Sequence, residues 1–256
     1  MKHIREVEFI FFDVGNIFVS DDPAAAYLYR RLYEEMGGEA RLSPEEFFAL
    51  RDEHVSRGGN LWSFVKSILP AEIYAEWRAA ARRSLFEQWE QYAPPIPQMP
   101  ELVPQLAQHY RLGLIANQPV QVEPLLRKRG LWEYFEVTAI SEALGIEKPD
   151  ARIFQWALEQ ASIPPTRALM VGDRIDNDVV PAKRLGMKTI WLSLDFDLRG
   201  WTPTDAFERA YAESVRRHCV TTVGPANESE QPDAVARSAH ELRTLLLPRT
   251  VVPERV

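Results

Sequence analysis

Phe9-Ile10-Phe11-Phe12-Asp13-Val14-Gly15-Asn16 decides the fold. Four apolar residues in a row are too few for a helix and fit a buried strand, so Asp13 projects from the C-terminal tip of that strand. In an open α/β sheet this is the edge where ligands bind. Two later apolar runs stop in the same way: 112–116 ends at Asn117, and 168–171 ends at Gly172-Asp173. Three strand ends bring two carboxylates and an amide toward one crevice, and Lys148, in Glu147-Lys148-Pro149, adds a positive charge.

Outward from these runs, helix and strand patterns alternate from residue 101 onward, as they do in parallel-sheet units. The periodicity predicts strands at 7–12, 112–116, 135–140, 168–171 and 189–194, and helices at 101–109, 122–129, 153–160 and 180–185. The tail predicts a helix at 203–218, a polar loop at 224–231 and a closing helix near 233–247. Between the first strand and this alternation, 23–91 reads almost wholly as helices. Ser43 before Pro44, with Glu46 three positions on, is a capping-box start with proline at the first helical position. Phe47, Phe48, Phe64, Trp77, Phe86 and Trp89 recur at helical intervals and predict a core of that block's own. The Pro-rich piece 93–100 closes the block as a linker. The fold class is therefore α/β: a Rossmann-like, doubly wound parallel sheet built from 1–19 and 96–256, with an α-helical cap domain inserted at 20–95.

The chain has 256 residues, 46% of them hydrophobic and 26% charged, enough for a large core and a second, smaller domain. A net charge of -7 argues against a broad nucleic-acid surface, which needs clustered Lys and Arg. No apolar run approaches the ~18 residues of a membrane span, and Arg5, Glu6 and Glu8 stand where a signal peptide would be apolar. Neither nucleic acid nor membrane is expected as a partner, and the expected location is cytoplasmic. The single cysteine, Cys219, excludes an intrachain disulfide and a thiolate metal cluster, and is expected to be half-buried.

Taken singly, each acid or amide has an ordinary reading. Asp13 and Asn117 suit turns, Lys148 suits an exposed loop, and Asp176 in Asp173-Arg174-Ile175-Asp176-Asn177-Asp178 reads as a solvated loop residue. Together they carry more. Phe11 to Asn16, Leu114-Ile115-Ala116-Asn117, Glu147-Lys148-Pro149, and Gly172-Asp173 with Asp178 resemble, in order, spacing and strand context, the motifs of haloacid dehalogenase superfamily hydrolases with a helical cap after the first strand. The likeness runs from Val7 to about Leu247. It implies that Asp13 is the nucleophile, that Asn117 and Lys148 are the second- and third-motif residues, that Asp173 and Asp178 are metal-binding acids, and that Mg²⁺ is the cofactor.

The chemistry agrees with the resemblance. A carboxylate can attack phosphorus and hold the phosphoryl group, splitting one hard displacement into two easier ones. Both partners are anionic, so a cation is needed between them. Mg²⁺ takes one or two carboxylates with waters and phosphate oxygens, which Asp13, Asp173 and the Gly15 carbonyl can provide, with Asp178 supporting them from behind. Lys148 and Asn117 would stabilise the transferring group electrostatically, and Asn16 stands beside them as a further phosphate contact. In the helical block, His54 to Trp62 combines Gly58 and Gly59 with His54, Arg57, Asn60 and Trp62, and Arg57 is the candidate substrate contact there. The expected activity is Mg²⁺-dependent hydrolysis of a small phosphorylated metabolite by a monomer or homodimer.

Two positions depart from the family pattern. Gly15 stands where a second aspartate usually acts as general acid, and Ala116 stands where a hydroxyl usually precedes the asparagine. A missing acid favours substrates with good leaving groups, such as anomeric sugar, acyl or aryl phosphates. Asp21 and Asp22 offer a remote acid, though ahead of Pro23 they read as a helix N-cap. The alternatives are a weakened member that binds a phosphorylated ligand or partner, and a phosphonate- or halide-cleaving hydrolase.

Overall fold

In the computed structural model, which describes residues 6–218 and 223–247, strand β1 (Phe9–Phe12) is buried along its whole length. The other strands are β2 (Arg111–Ala116), β3 (Phe135–Ile140), β4 (Ala168–Gly172), β5 (Lys188–Leu192) and β6 (Ala234–Ala236). They form one sheet in the order β3-β2-β1-β4-β5-β6, each neighbouring pair parallel. Burial on both faces is why these strands read as continuous apolar runs rather than alternating ones. The chain builds outward from β1 through β2 to β3, then returns to lay β4 on the other side of β1, so the strand order reverses at the β1–β4 pair. Gly113 in β2 makes room for Phe9 and Phe11, whose rings stack at 4.4 Å; a Cβ there would lie 2.8 Å from the Phe9 ring.

The helices are α1 (Asp22–Glu35), α2 (Pro44–Ser56), α3 (Leu61–Ile68), α4 (Ala71–Glu87), α5 (Trp89–Tyr92), α6 (Met99–Leu106), α7 (Val122–Lys128), α8 (Ser141–Leu144), α9 (Ala151–Ala161), α10 (Val180–Arg184), α11 (Ala206–Arg217) and α12 (Ala239–Leu246). The Ser43 capping box forms as the sequence predicts: the Ser43 hydroxyl accepts from the Glu46 amide, and Glu46 accepts from the Ser43 amide. Among the described residues, no helix is long and apolar enough to cross a membrane. Cys219 lies outside the described residues.

The chain divides into two compact units, one spanning Met1–Ile17, Pro97–Leu194 and Pro225–Val256, the other Phe18–Ile96 and Asp195–Gly224. The first holds the sheet, with α9 packing Ile153, Phe154 and Ala157 into the cluster around Phe9, Phe11 and Ile115. The second is helical, and Phe47, Phe48, Phe64 and Trp77 form its core together with Tyr29 and Leu32. Phe86 and Trp89 pack at its margin.

Two expectations are corrected. Residues 195–224 were expected with the sheet, but α11 sends Phe207, Tyr211 and Val215 into the helical core. Its sequence is amphipathic, and amphipathicity says that a face is buried without saying against what. The closing segment was expected to be helical from about 233, yet Ala234–Ala236 is a strand pairing with β5, and the helix begins only at Ala239. Three small residues carry almost no strand signal. What sets them is Asp233, whose carboxylate accepts from both the amide and the hydroxyl of Thr189.

Candidate active site

Asp13 follows β1 at the point where the strand order reverses, and its amide donates to the Val171 carbonyl of β4 at 3.0 Å. That bond sets the tips of β1 and β4 side by side, and with them Asp13 and Asp173. Asp178 reaches the same place from a π turn at Ile175–Val179. The approach depends on Gly172, because a Cβ at that position would lie 2.3 Å from the Asp178 carboxyl carbon. Carboxylate oxygens of Asp13, Asp173 and Asp178 all lie within 4.8 Å of one another.

Lys148 is the cation among them. It is 3% exposed, with Nζ 2.9 Å from Asp13 Oδ1 and 2.5 Å from Asp178 Oδ1. The surface-loop reading of this lysine is therefore set aside. Asn117 holds its backbone in a reciprocal pair, with Lys148 N donating to Asn117 Oδ1 at 2.7 Å and Asn117 Nδ2 donating to the Lys148 carbonyl at 2.8 Å. The side chain expected to meet phosphate thus commits one of its two amide hydrogens to aiming the lysine.

Asp178 has both oxygens engaged, Oδ1 by Lys148 and Oδ2 by the Arg174 amide at 3.0 Å, as suits a group that supports ligands from behind. Burial pushes its pKa up, to about 6, with Lys148 opposing and Asp13 adding to the rise. Lys148 is pulled down by burial, but Asp13 and Asp178 overcome this and hold it above the ordinary lysine range. The cause is simple: the lysine faces two carboxylates, whereas for Asp178 burial and the like charge of Asp13 outweigh the lysine.

Asp173 is 4% exposed. Its Oδ2 accepts from Asn16 Nδ2 at 3.0 Å, and its backbone carbonyl accepts from Trp191 Nε1 at 2.9 Å. Asn16 takes up a left-handed φ of 51°, a conformation asparagine tolerates better than most residues, and this turns its amide toward Asp173. Gly15 is buried and carries no side chain into the cluster. Asp176 pairs with the Arg174 guanidinium and stays exposed, in agreement with its reading as a solvated residue. Trp191 was not found from sequence: strand periodicity marks it as buried and says nothing about its N–H.

The donor set fits a small divalent cation that prefers oxygen. Lys148 pairs with Asp13 and Asp178, Asp173 lies within 4.8 Å of both, and the Arg174 guanidinium close by is paired with Asp176, so carboxylates outnumber cations in a largely buried place.

The candidates in the helical unit make local contacts. Arg57 is mostly exposed and pairs with Glu53 at 2.6 Å. His54 Nε2 lies 2.7 Å from Ser63 Oγ, and Asn60 caps α3. Asp21 stands at the N-cap of α1 without a side-chain capping bond. Asp22 is buried, accepting from the Tyr211 hydroxyl at 2.9 Å and from Arg199 Nη1 at 3.3 Å. Asp22 is thus no N-cap: its carboxylate ties α1 to Arg199 and to α11.

Residues 10–192 match the family described as haloacid dehalogenase-like hydrolase. The chain is 28% identical to the glyceraldehyde 3-phosphate phosphatase of Pyrococcus furiosus, over 83% of this chain and 90% of that one. It is 30% identical to the protein of the same name from Methanopyrus kandleri, over 72% of this chain and 83% of that one. Among solved structures, the putative HAD-hydrolase YfnB from Bacillus subtilis bound to magnesium has a similar fold, with TM-score 0.66 at 19% identity over 94% of this chain and 99% of that one.

Proposed function

Because the chain belongs to the haloacid dehalogenase-like hydrolase family, we propose that it is a Mg²⁺-dependent phosphatase acting on a small phosphorylated metabolite through a covalent aspartyl phosphate on Asp13. The observation that carries this reading is the gathering of Asp13, Asp173 and Asp178 at the point where the strand order reverses, with Lys148 bridging Asp13 and Asp178. Relatives named as phosphatases support the same reaction class.

In this reading Asp13 and Asp173 hold the ion with the Gly15 carbonyl, while Asp178 steadies them. Bound Mg²⁺ supplies the positive charge that lets a phosphate dianion approach a carboxylate. Lys148 fixes Asp13 Oδ1, and the other oxygen forms the bond to phosphorus as the bond to the leaving oxygen breaks. A water molecule then attacks phosphorus and gives up a proton to solvent, the bond to Asp13 breaks with its electron pair returning to the carboxylate, and inorganic phosphate departs. Asn117 contributes mainly by aiming Lys148, and secondarily through its second amide hydrogen.

Gly15 cannot protonate the leaving oxygen, and the nearest acids in sequence beyond it, Asp21 and Asp22, are placed as described above. The substrate class is accordingly one with a good leaving group. A positioned acid is worth about 10² to 10⁴ in rate. In a phosphate-release assay, Gly15→Asp is expected to accelerate alkyl phosphate hydrolysis by up to about that factor and aryl phosphate hydrolysis little. Equal wild-type rates on aryl and alkyl esters would remove the leaving-group part of the proposal.

A further inference from the structure

Strand β5 supplies none of the charged groups of the site, yet Trp191 reaches it. Trp191 is the register partner of Gly172, so the two residues face the same side of the sheet. The indole does two things there. Its Nε1 donates to the backbone carbonyl of Asp173 at 2.9 Å. Its ring packs with Ile175 and Val179, both on the π turn that carries Asp178 between them, in a small cluster separate from the main core and flanked by Val180 and Val235. One side chain therefore touches the backbone of one acid and the turn that presents the other.

Each feature makes sense in terms of the rest. Gly172 must lack a side chain for Asp178 to come close, so residue 172 offers no surface against which the turn can pack. The neighbouring strand provides that surface. A buried tryptophan combines a large apolar body with a single N–H that needs a partner, and here the body braces the turn while the N–H fastens Asp173. A phenylalanine would keep the first role and lose the second. The side chain of Asp173 is held separately by Asn16.

We infer that Trp191 is a positioning residue for the divalent-cation site: the indole fixes Asp173 through its carbonyl and Asp178 through the π turn, so that the spacing of the two carboxylates is set from β5. This rests on the proposed phosphatase reading, because it assumes that these carboxylates serve an ion. Groups that orient metal ligands are typically worth about 10-fold to 100-fold in affinity. The effect of losing the N–H alone should fall at the lower end, since Asn16 remains.

The test is calorimetric titration of Mg²⁺, and of Mn²⁺ as a second ion, into metal-free wild type and Trp191→Phe, with thermal unfolding of both. About tenfold weaker binding by a variant whose unfolding midpoint in the absence of ion is close to that of wild type supports the inference. Tryptophan emission gives a second readout: an ion-dependent change in the wild type should be absent from Trp191→Phe. Equal ion affinity in the two proteins would overturn the inference while leaving the phosphatase reading intact. A wild type that binds neither ion would overturn both. If Trp191→Phe does not fold, Val179→Ala carries the test, since it keeps the N–H and loosens the bed of the ring; weaker binding, by up to about tenfold, supports bracing through the turn, and unchanged binding refutes it.

Discussion

Both units bury charge, and they balance it differently. In the helical unit Asp52 is met by Arg51 at 3.1 Å, by Arg217 at 2.9 Å and by the Ser214 hydroxyl, which together tie α2 to α11. Asp22 in the same unit is met by Arg199 and Tyr211. At the edge of the sheet, four carboxylates, those of Asp13, Asp173, Asp176 and Asp178, are met by two cations, Lys148 and Arg174. Cations at least match acids in the first pattern, which is what a buried network needs if its only role is to hold helices together. The second pattern is incomplete as a structural network and sensible as a receptacle for a cation. Where charge is buried teaches less than whether it is neutralised.

The largest expected effect comes from breaking the balanced side. Asp52→Ala would leave Arg51 buried without its carboxylate, at a cost of about 3–5 kcal/mol. The unfolding midpoint should fall by about 10 °C, while ion affinity measured on the folded protein stays unchanged. A midpoint within a degree or two of wild type would mean that the network is decorative and that the contrast between the units has been misread.

A smaller effect, of opposite sign, is expected from relieving the unbalanced side. Asp178 is raised to about 6 from an ordinary value near 3.8, so the folded chain holds its proton more tightly than the unfolded chain does. That contribution to stability is complete below the ordinary value and is lost as pH rises through about 6. Asp178→Asn, permanently neutral, does not lose it. Each tenfold change in proton affinity is worth about 1.4 kcal/mol, and disturbance of the bond from the Arg174 amide takes back part of this in the variant. Without divalent ions, Asp178→Asn should therefore unfold a few degrees above wild type at pH 7.5 and nearly with it at pH 4.5. Melting curves that run in parallel at every pH would show that Asp178 carries no excess charge in the fold.

Much of this contrast was legible in the sequence, because the residues concerned stand at the ends of apolar runs. Phe9–Phe12 announced a strand and Asp13 its tip, and Gly172-Asp173 did the same for β4. What the sequence did not convey were relations between side chains far apart along it. Asn117 clamping Lys148, Trp191 donating to Asp173 and Tyr211 donating to Asp22 join positions 31, 18 and 189 residues apart, and no periodicity encodes such pairs. Arg57 is a different case. The sequence placed it among glycine, histidine and asparagine, and did not show that it pairs with Glu53 while His54 and Asn60 both meet Ser63 at the start of α3. Strand β6 escaped because one β-forming valine between two alanines is too short a run to signal a strand, and it is one only through the edge it extends.

Excess negative charge at the sheet edge is proposed to gather a divalent cation and, with it, a phosphorylated substrate for Asp13. The decisive experiment is phosphate release from an aryl phosphate, measured with Mg²⁺, with chelator, and for Asp13→Asn beside the wild type. Release should require Mg²⁺ and fall by about a thousandfold or more in Asp13→Asn, as expected when a covalent nucleophile is removed. Release that continues undiminished in chelator, or that survives Asp13→Asn at the wild-type rate, would refute the proposal.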